Sequence, residues 1–253
     1  MESNDDSISK LRLLGEVFVV IIAFTVFTMV IGLLFFRIQA GYGPDAVAMT
    51  TNEGREMVAL ATLFTTPLTL FCTVLTIEFI LQSRGTDIES FGTQLPKNWT
   101  KTIFTGILLA ILFAGLWFVM QAVNITIAED EPTQYFDLIR GNGVLYFFSM
   151  TAVAWFAAGF AEEVIFRGFF MNNFVGIFGN GTIGTSLAVI IQALFYTGFH
   201  ATDSLVGMIP VFVIGLLMGV IYFALGRRLW PLIIAHGLVV SAYFTNMYFG
   251  ISG

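Results

Sequence analysis

Residues 159–170 read GFAEEVIFRGFF and hold Glu162, Glu163 and Arg167 inside an otherwise lipid-soluble run. The chain around them has 253 residues, 57% of them hydrophobic and only 11% charged. Its mean hydropathy is +0.86, far from a soluble domain and expected of a protein that crosses a bilayer several times. Lipid is therefore the solvent in which the three charges must be read. A charged side chain near the middle of a membrane helix costs about 2.5–3.5 kcal/mol on insertion scales, so the cluster requires pairing or a wet cavity.

Working outward, stretches without Asp, Glu, Lys or Arg at residues 17–36, 57–77 and 102–122 each meet the roughly 20 residues that a spanning helix needs. Residues 141–161 make a fourth span, which runs into the cluster and then into the uncharged stretch 168–202, so this helix is expected to continue past Arg167. GIFGNGTIGT at 176–185 breaks it, and a fifth helix follows over about 184–200. HATDS, from His200, turns into a sixth over about 206–225, GRRLWP connects it, and a seventh begins near Pro231, which suits a helix start. The fold class expected is all-α, a polytopic transmembrane bundle of seven to eight spans forming one domain over residues 1–253. The connections 37–56, 82–101 and 123–140 read as ordinary loops. The first apolar run lacks a small-residue cleavage site and reads as an uncleaved span.

Charge and cysteine exclude other classes. The net charge of −6 comes largely from segments such as MESNDD and AEDEP, and no basic concentration suggests nucleic acid. The lone Cys72 cannot form an internal disulfide. Lys10, Arg12, Arg84, Lys97, Lys101, Arg227 and Arg228 fall on one side of the alternating spans, and Arg37, Arg55 and Arg140 on the other. That imbalance predicts a cytoplasmic N-terminus for a chain expected to be a multi-pass protein of a prokaryotic cell membrane.

Within the cluster, Glu163 and Arg167 are four residues apart and share a helix face, so an internal ion pair offsets part of the burial cost. Glu162 lies about 100° around the helix and has no such local partner. Desolvation beside a like charge suits it to accept a proton. The competing reading is an interfacial anchor with Arg167 snorkelling to headgroups, but the apolar GFFMNNFVGIF that follows places the cluster between two hydrophobic segments. The only two histidines, His200 and His236, both fall in or at the ends of spans. Imidazole beside buried carboxylates can position water, stabilise an oxyanion or bind a metal. Glu162, His200 and His236 thus form a hydrolytic set or, with a water in the open position, a His2Glu zinc site. The H-E-x-x-H spacing of zincins is absent.

The order E-E-x-x-x-R (Glu162, Glu163, Arg167), aromatic-x-x-x-His (Tyr196 to His200) and a later His236 resembles the CPBP family of CAAX proteases and bacteriocin-processing enzymes, also called the Abi family. The resemblance covers about residues 150–245, the expected catalytic core. It implies an intramembrane endopeptidase acting on a membrane-associated or lipidated peptide or protein, prenylated ones included. In that reading Glu162 and His200 activate water, His236 donates to the oxyanion, and Glu163 and Arg167 support Glu162. Catalysis would be glutamate-dependent without metal, or metal-dependent with zinc on Glu162, His200 and His236. The chain departs from the family where a polar residue is usual four positions after the last histidine: Val240 stands there. Ser241 is rotated from that position, and Tyr243 returns to the same face about 10 Å further along the axis. Val240 favours the alternative, a non-catalytic membrane immunity or scaffold protein that binds a partner membrane protein. A proton-carrying transporter ranks lower, because no pair of broken helices marks corresponding halves.

Overall fold

Lipid cannot hydrogen-bond a bare backbone, so apolar spans must close their own ladders as helices. The computed structural model shows this throughout the residues it describes, 8–41, 43, 52–122, 138–200 and 205–250. In chain order these form α1 (Lys10–Ala40), α2 (Asn52–Gln82), a 3-10 turn (Ile88–Phe91), α3 (Trp99–Ala122), α4 (Gly143–Phe178), α5 (Thr182–Phe199), α6 (Leu205–Ala224) and α7 (Trp230–Phe249). All of these except α6 are long and apolar enough to cross a membrane, apart from the 3-10 turn; α6 contributes the shorter apolar helix Met208–Ala224. The protein is a helical membrane bundle with seven helices among the described residues, as the apolar runs predict. Several helices extend past the uncharged stretches, because their ends lie where charged side chains meet water instead of hydrocarbon. The turn expected at HATDS lies, after His200, outside the described residues.

α4 is the centre of the bundle. It is 36 residues long, and it does not surface at the charged cluster. Phe166, Phe169 and Phe170 are buried in the main core with Ile77 of α2, Tyr196 of α5, Tyr222 of α6 and Leu232 of α7. Its middle, Ser149–Phe170, is wound in the wider π pattern, with the Met171 N–H donating to the Phe166 carbonyl, a form that recurs at functional sites. α1 and α3 instead expose much of their surface, including Phe18, Leu33, Phe104 and Ile111, as expected of helices with lipid on one side.

The connection 82–101 is more than an ordinary loop. Phe91 is buried and packs edge-on against Phe169. Its carbonyl accepts from the Tyr222 hydroxyl at 3.0 Å, and the Thr93 carbonyl accepts from Trp230 Nε1 at 2.8 Å. The segment therefore ties α4, α6 and the start of α7 together at one end of the bundle. Asn98, in an NWT triplet, serves as the cap of α3, its Oδ1 accepting from the Lys101 N–H at 2.9 Å.

Candidate active site

The continuation of α4 past Arg167 sets the depth of the site. Simple alternation of the spans puts Glu162 and His200 toward opposite ends. The structure instead carries α4 on to Phe178 before the chain reverses into α5 at Thr182. At about 1.5 Å per residue, Glu162 and His200 then lie roughly 24 and 27 Å from the turn. His200 Nε2 is accordingly 3.7 Å from Glu162 Oε2.

The second histidine arrives from α7. α4 and α7 approach closely because both present glycine: a Cβ on Gly159 would stand 3.1 Å from the Ile233 carbonyl oxygen, and one on Gly237 would stand 2.9 Å from the Trp155 ring. That contact puts His236 Nδ1 2.9 Å from Glu163 Oε1. The same carboxylate oxygen accepts from Arg167 Nη1 at 3.1 Å, with both members of this ion pair fully buried (0%). Arg167 does not snorkel; its guanidinium lies 4.4 Å over the Tyr196 ring, a cation–π contact that is strengthened by desolvation.

The acceptor chemistry assigns the imidazole protons. His200 Nδ1 is 2.9 Å from the Tyr196 carbonyl oxygen, which can only accept, so Nδ1 carries a proton and Nε2 faces Glu162. Likewise His236 Nδ1–H donates to the ionised Glu163, leaving Nε2 for other partners. Glu162 Oε2 and Glu163 Oε2 are buried without hydrogen-bond partners. The structure thus brings all five sequence-derived residues into one cluster, in two arms: Glu162 with His200, and Glu163 with Arg167 and His236. Glu163 supports His236 directly, a link between α4 and α7 that helical spacing cannot reveal.

Val240 packs against the small apolar cluster of Ile139, Ala154, Phe244 and Met247. Ser241 is buried with an unpartnered hydroxyl. Tyr243 is 47% exposed, its ring beside Phe244. Among the described residues no three His, Cys, Asp or Glu side chains gather where they could hold a metal ion. With His236 Nδ1 engaged by Glu163, its Nε2 stays open to a metal or a substrate alike.

Beside His200, an apolar groove of about 490 Å³ opens between α1 and α5, lined by Phe24, Thr25, Leu194, Phe195, Gly198 and Phe199. Neither the groove nor the packing of α5 on α6 is legible in the sequence, since both depend on which helices become neighbours.

Residues 144–242 match the family model described as type II CAAX prenyl endopeptidase Rce1-like. No curated protein and no solved structure matches the chain. The match spans α4 to α7 up to just beyond His236 and includes every residue of both arms. Over residues 144–242 this multi-pass membrane protein thus matches an Rce1-like CAAX prenyl endopeptidase domain, which supports membership of the CPBP family.

Proposed function

We propose that the protein is an intramembrane endopeptidase that hydrolyses a peptide bond of a lipidated, membrane-associated substrate, using a water activated by Glu162 and His200. The observation that carries this reading is the 3.7 Å separation of two acceptors, Glu162 Oε2 and His200 Nε2. A water has two hydrogens, and each reaches an acceptor at about 2.8 Å, so one water donating to both would be held with its lone pairs free. As its oxygen attacks the scissile carbonyl carbon, Glu162 takes the proton. His236, oriented by its Nδ1–H on Glu163, presents Nε2 to the developing oxyanion and donates there when doubly protonated. Collapse of the tetrahedral intermediate breaks the C–N bond, and Glu162 returns the proton to the leaving amine. Arg167, paired with Glu163 at 3.1 Å, holds that carboxylate in place.

The apolar groove supports a lipidated substrate. Its α5 lining runs from Leu194 to Phe199, the residue before His200 in the chain, so a hydrocarbon chain lying in it would carry an attached peptide toward the two arms. The gathering of Lys97, Lys101, Arg227 and Arg228 at one end of the bundle supports a cytoplasmic placement of that end, together with the N-terminus.

The test is cleavage in reconstituted vesicles of a prenylated peptide and of the same peptide without its lipid. Faster cleavage of the prenylated form, unaffected by a metal chelator, is the expected result. Equal silence toward all membrane-anchored peptides offered would favour the non-catalytic immunity or scaffold reading, which Val240 supports.

A further inference from the structure

Gln192 lies on α5 two turns before His200, with Tyr196 between them, so the three side chains share one face. That face runs antiparallel along α4 in tiers. His200 meets Glu162 at 3.7 Å, and the Tyr196 ring lies under Arg167 at 4.4 Å. One turn further, Gln192 lies beside Met171, the residue one turn beyond Arg167. Both border the space left by Gly219 of α6, where a Cβ would stand 3.1 Å from Gln192 Oε1 and 3.5 Å from Met171 Sδ. Gly215 and Gly219 are spaced as the small pair that lets membrane helices close, and the second of them gives the amide its room.

Gln192 is fully buried, yet neither Oε1 nor Nε2 has a hydrogen-bond partner. Arg167, also fully buried, leaves Nε and Nη2 without partners on the turn above. Unmatched donors and acceptors in an apolar interior are strongly penalised, and each such group calls for an explanation. If Gln192 were only a fastener between helices, its amide would bond across an interface; instead its Oε1 borders the space at Gly219 and neither amide atom is bonded.

We propose that Gln192 and Arg167 together bind a buried water, which accepts from Arg167 Nε or Nη2 and donates to Gln192 Oε1. Four residues of helix rise about 6 Å, within reach of two hydrogen bonds of about 2.9 Å in series, so a single water fits the register. The water anchors the guanidinium on the side away from Glu163. Gln192 is thereby a positioning residue, acting through Arg167 on Glu163 and His236. This kinetic consequence rests on the protease reading; the water itself does not.

Gln192→Met keeps the length and removes the polar atoms, while Gln192→Glu keeps the acceptor. A role in packing alone predicts that the methionine variant is stable and fully active. The proposal predicts that it is at least as stable as the parent but has kcat lowered about tenfold, KM unchanged, with Gln192→Glu retaining most of the turnover. A map that resolves buried waters should show one within hydrogen-bond distance of Arg167 and Gln192 in the parent and none in Gln192→Met. Absence of that water from the parent overturns the proposal, and an undiminished kcat in Gln192→Met overturns the positioning role. If the parent cleaves nothing, the protease reading fails, while the map still decides the water.

Discussion

Two clusters of glutamate and arginine hold this bundle together, one at its end and one in its middle. At the end, Glu16 of α1 pairs with Arg12 at 3.0 Å and with Arg84. Arg84 reaches Asn173 of α4 at 3.0 Å, and Arg12 reaches Ser83 at 3.1 Å. Burial, and then the neighbouring Arg12 charge, push the Arg84 guanidinium below its ordinary value. Here two cations share one carboxylate with no histidine nearby, and the product is a clamp on α1, α2 and α4. In the middle, one arginine pairs with only one of two carboxylates, and each carboxylate meets an imidazole. Charge in a membrane helix thus does not by itself mark a site. An acceptor surplus at mid-helix, matched to two histidines, distinguishes the proposed reacting cluster from the fastening one.

That contrast can be broken by substitution. The largest effects belong to the middle cluster: His200→Ala and His236→Ala are each expected to lower turnover by about 10²–10⁴, the range of acid–base groups, with the fold intact by thermal unfolding. Arg167→Leu strands the buried Glu163 charge and is expected to destabilise the protein by about 3–5 kcal/mol. Adding Glu163→Gln to that variant should recover much of the stability but not the activity, because His236 still lacks its carboxylate. A stable, active double variant would show that this pair is only another clamp.

Val240→Asn tests what the site lacks. An asparagine one turn beyond His236 would add a donor to the oxyanion side, and turnover is expected to rise about tenfold, less than the 10²–10³ of an established oxyanion donor. No change in cleavage would mean that Val240 does not face the reacting carbonyl. The smallest effect is expected at the end cluster. Glu16→Gln should lower stability by an amount between the roughly 1 kcal/mol of an exposed pair and the roughly 3–5 kcal/mol of a buried one, with turnover unchanged.

Much of this was legible in the sequence, for a physical reason. Membrane spans announce themselves by length and apolarity, and Glu163 and Arg167 meet because four residues make nearly one turn. The motif order singled out Glu162, His200 and His236, each of which meets a carboxylate or imidazole of the cluster. Their common depth was not legible, because it depends on how far α4 runs beyond Arg167. The bond from Glu163 to His236 depends on the close approach of α4 and α7 at Gly159 and Gly237. The burial of Phe91 beneath Phe169 and the polar tier at Gln192 are likewise long-range contacts, on which helical periodicity is silent.

The most direct measurement compares the two clusters in one assay: cleavage of a prenylated peptide in vesicles by the parent, Glu162→Gln and Glu16→Gln at matched folded protein. The account predicts parental cleavage by Glu16→Gln and none detectable by Glu162→Gln. Cleavage by Glu162→Gln at the parental rate would contradict it.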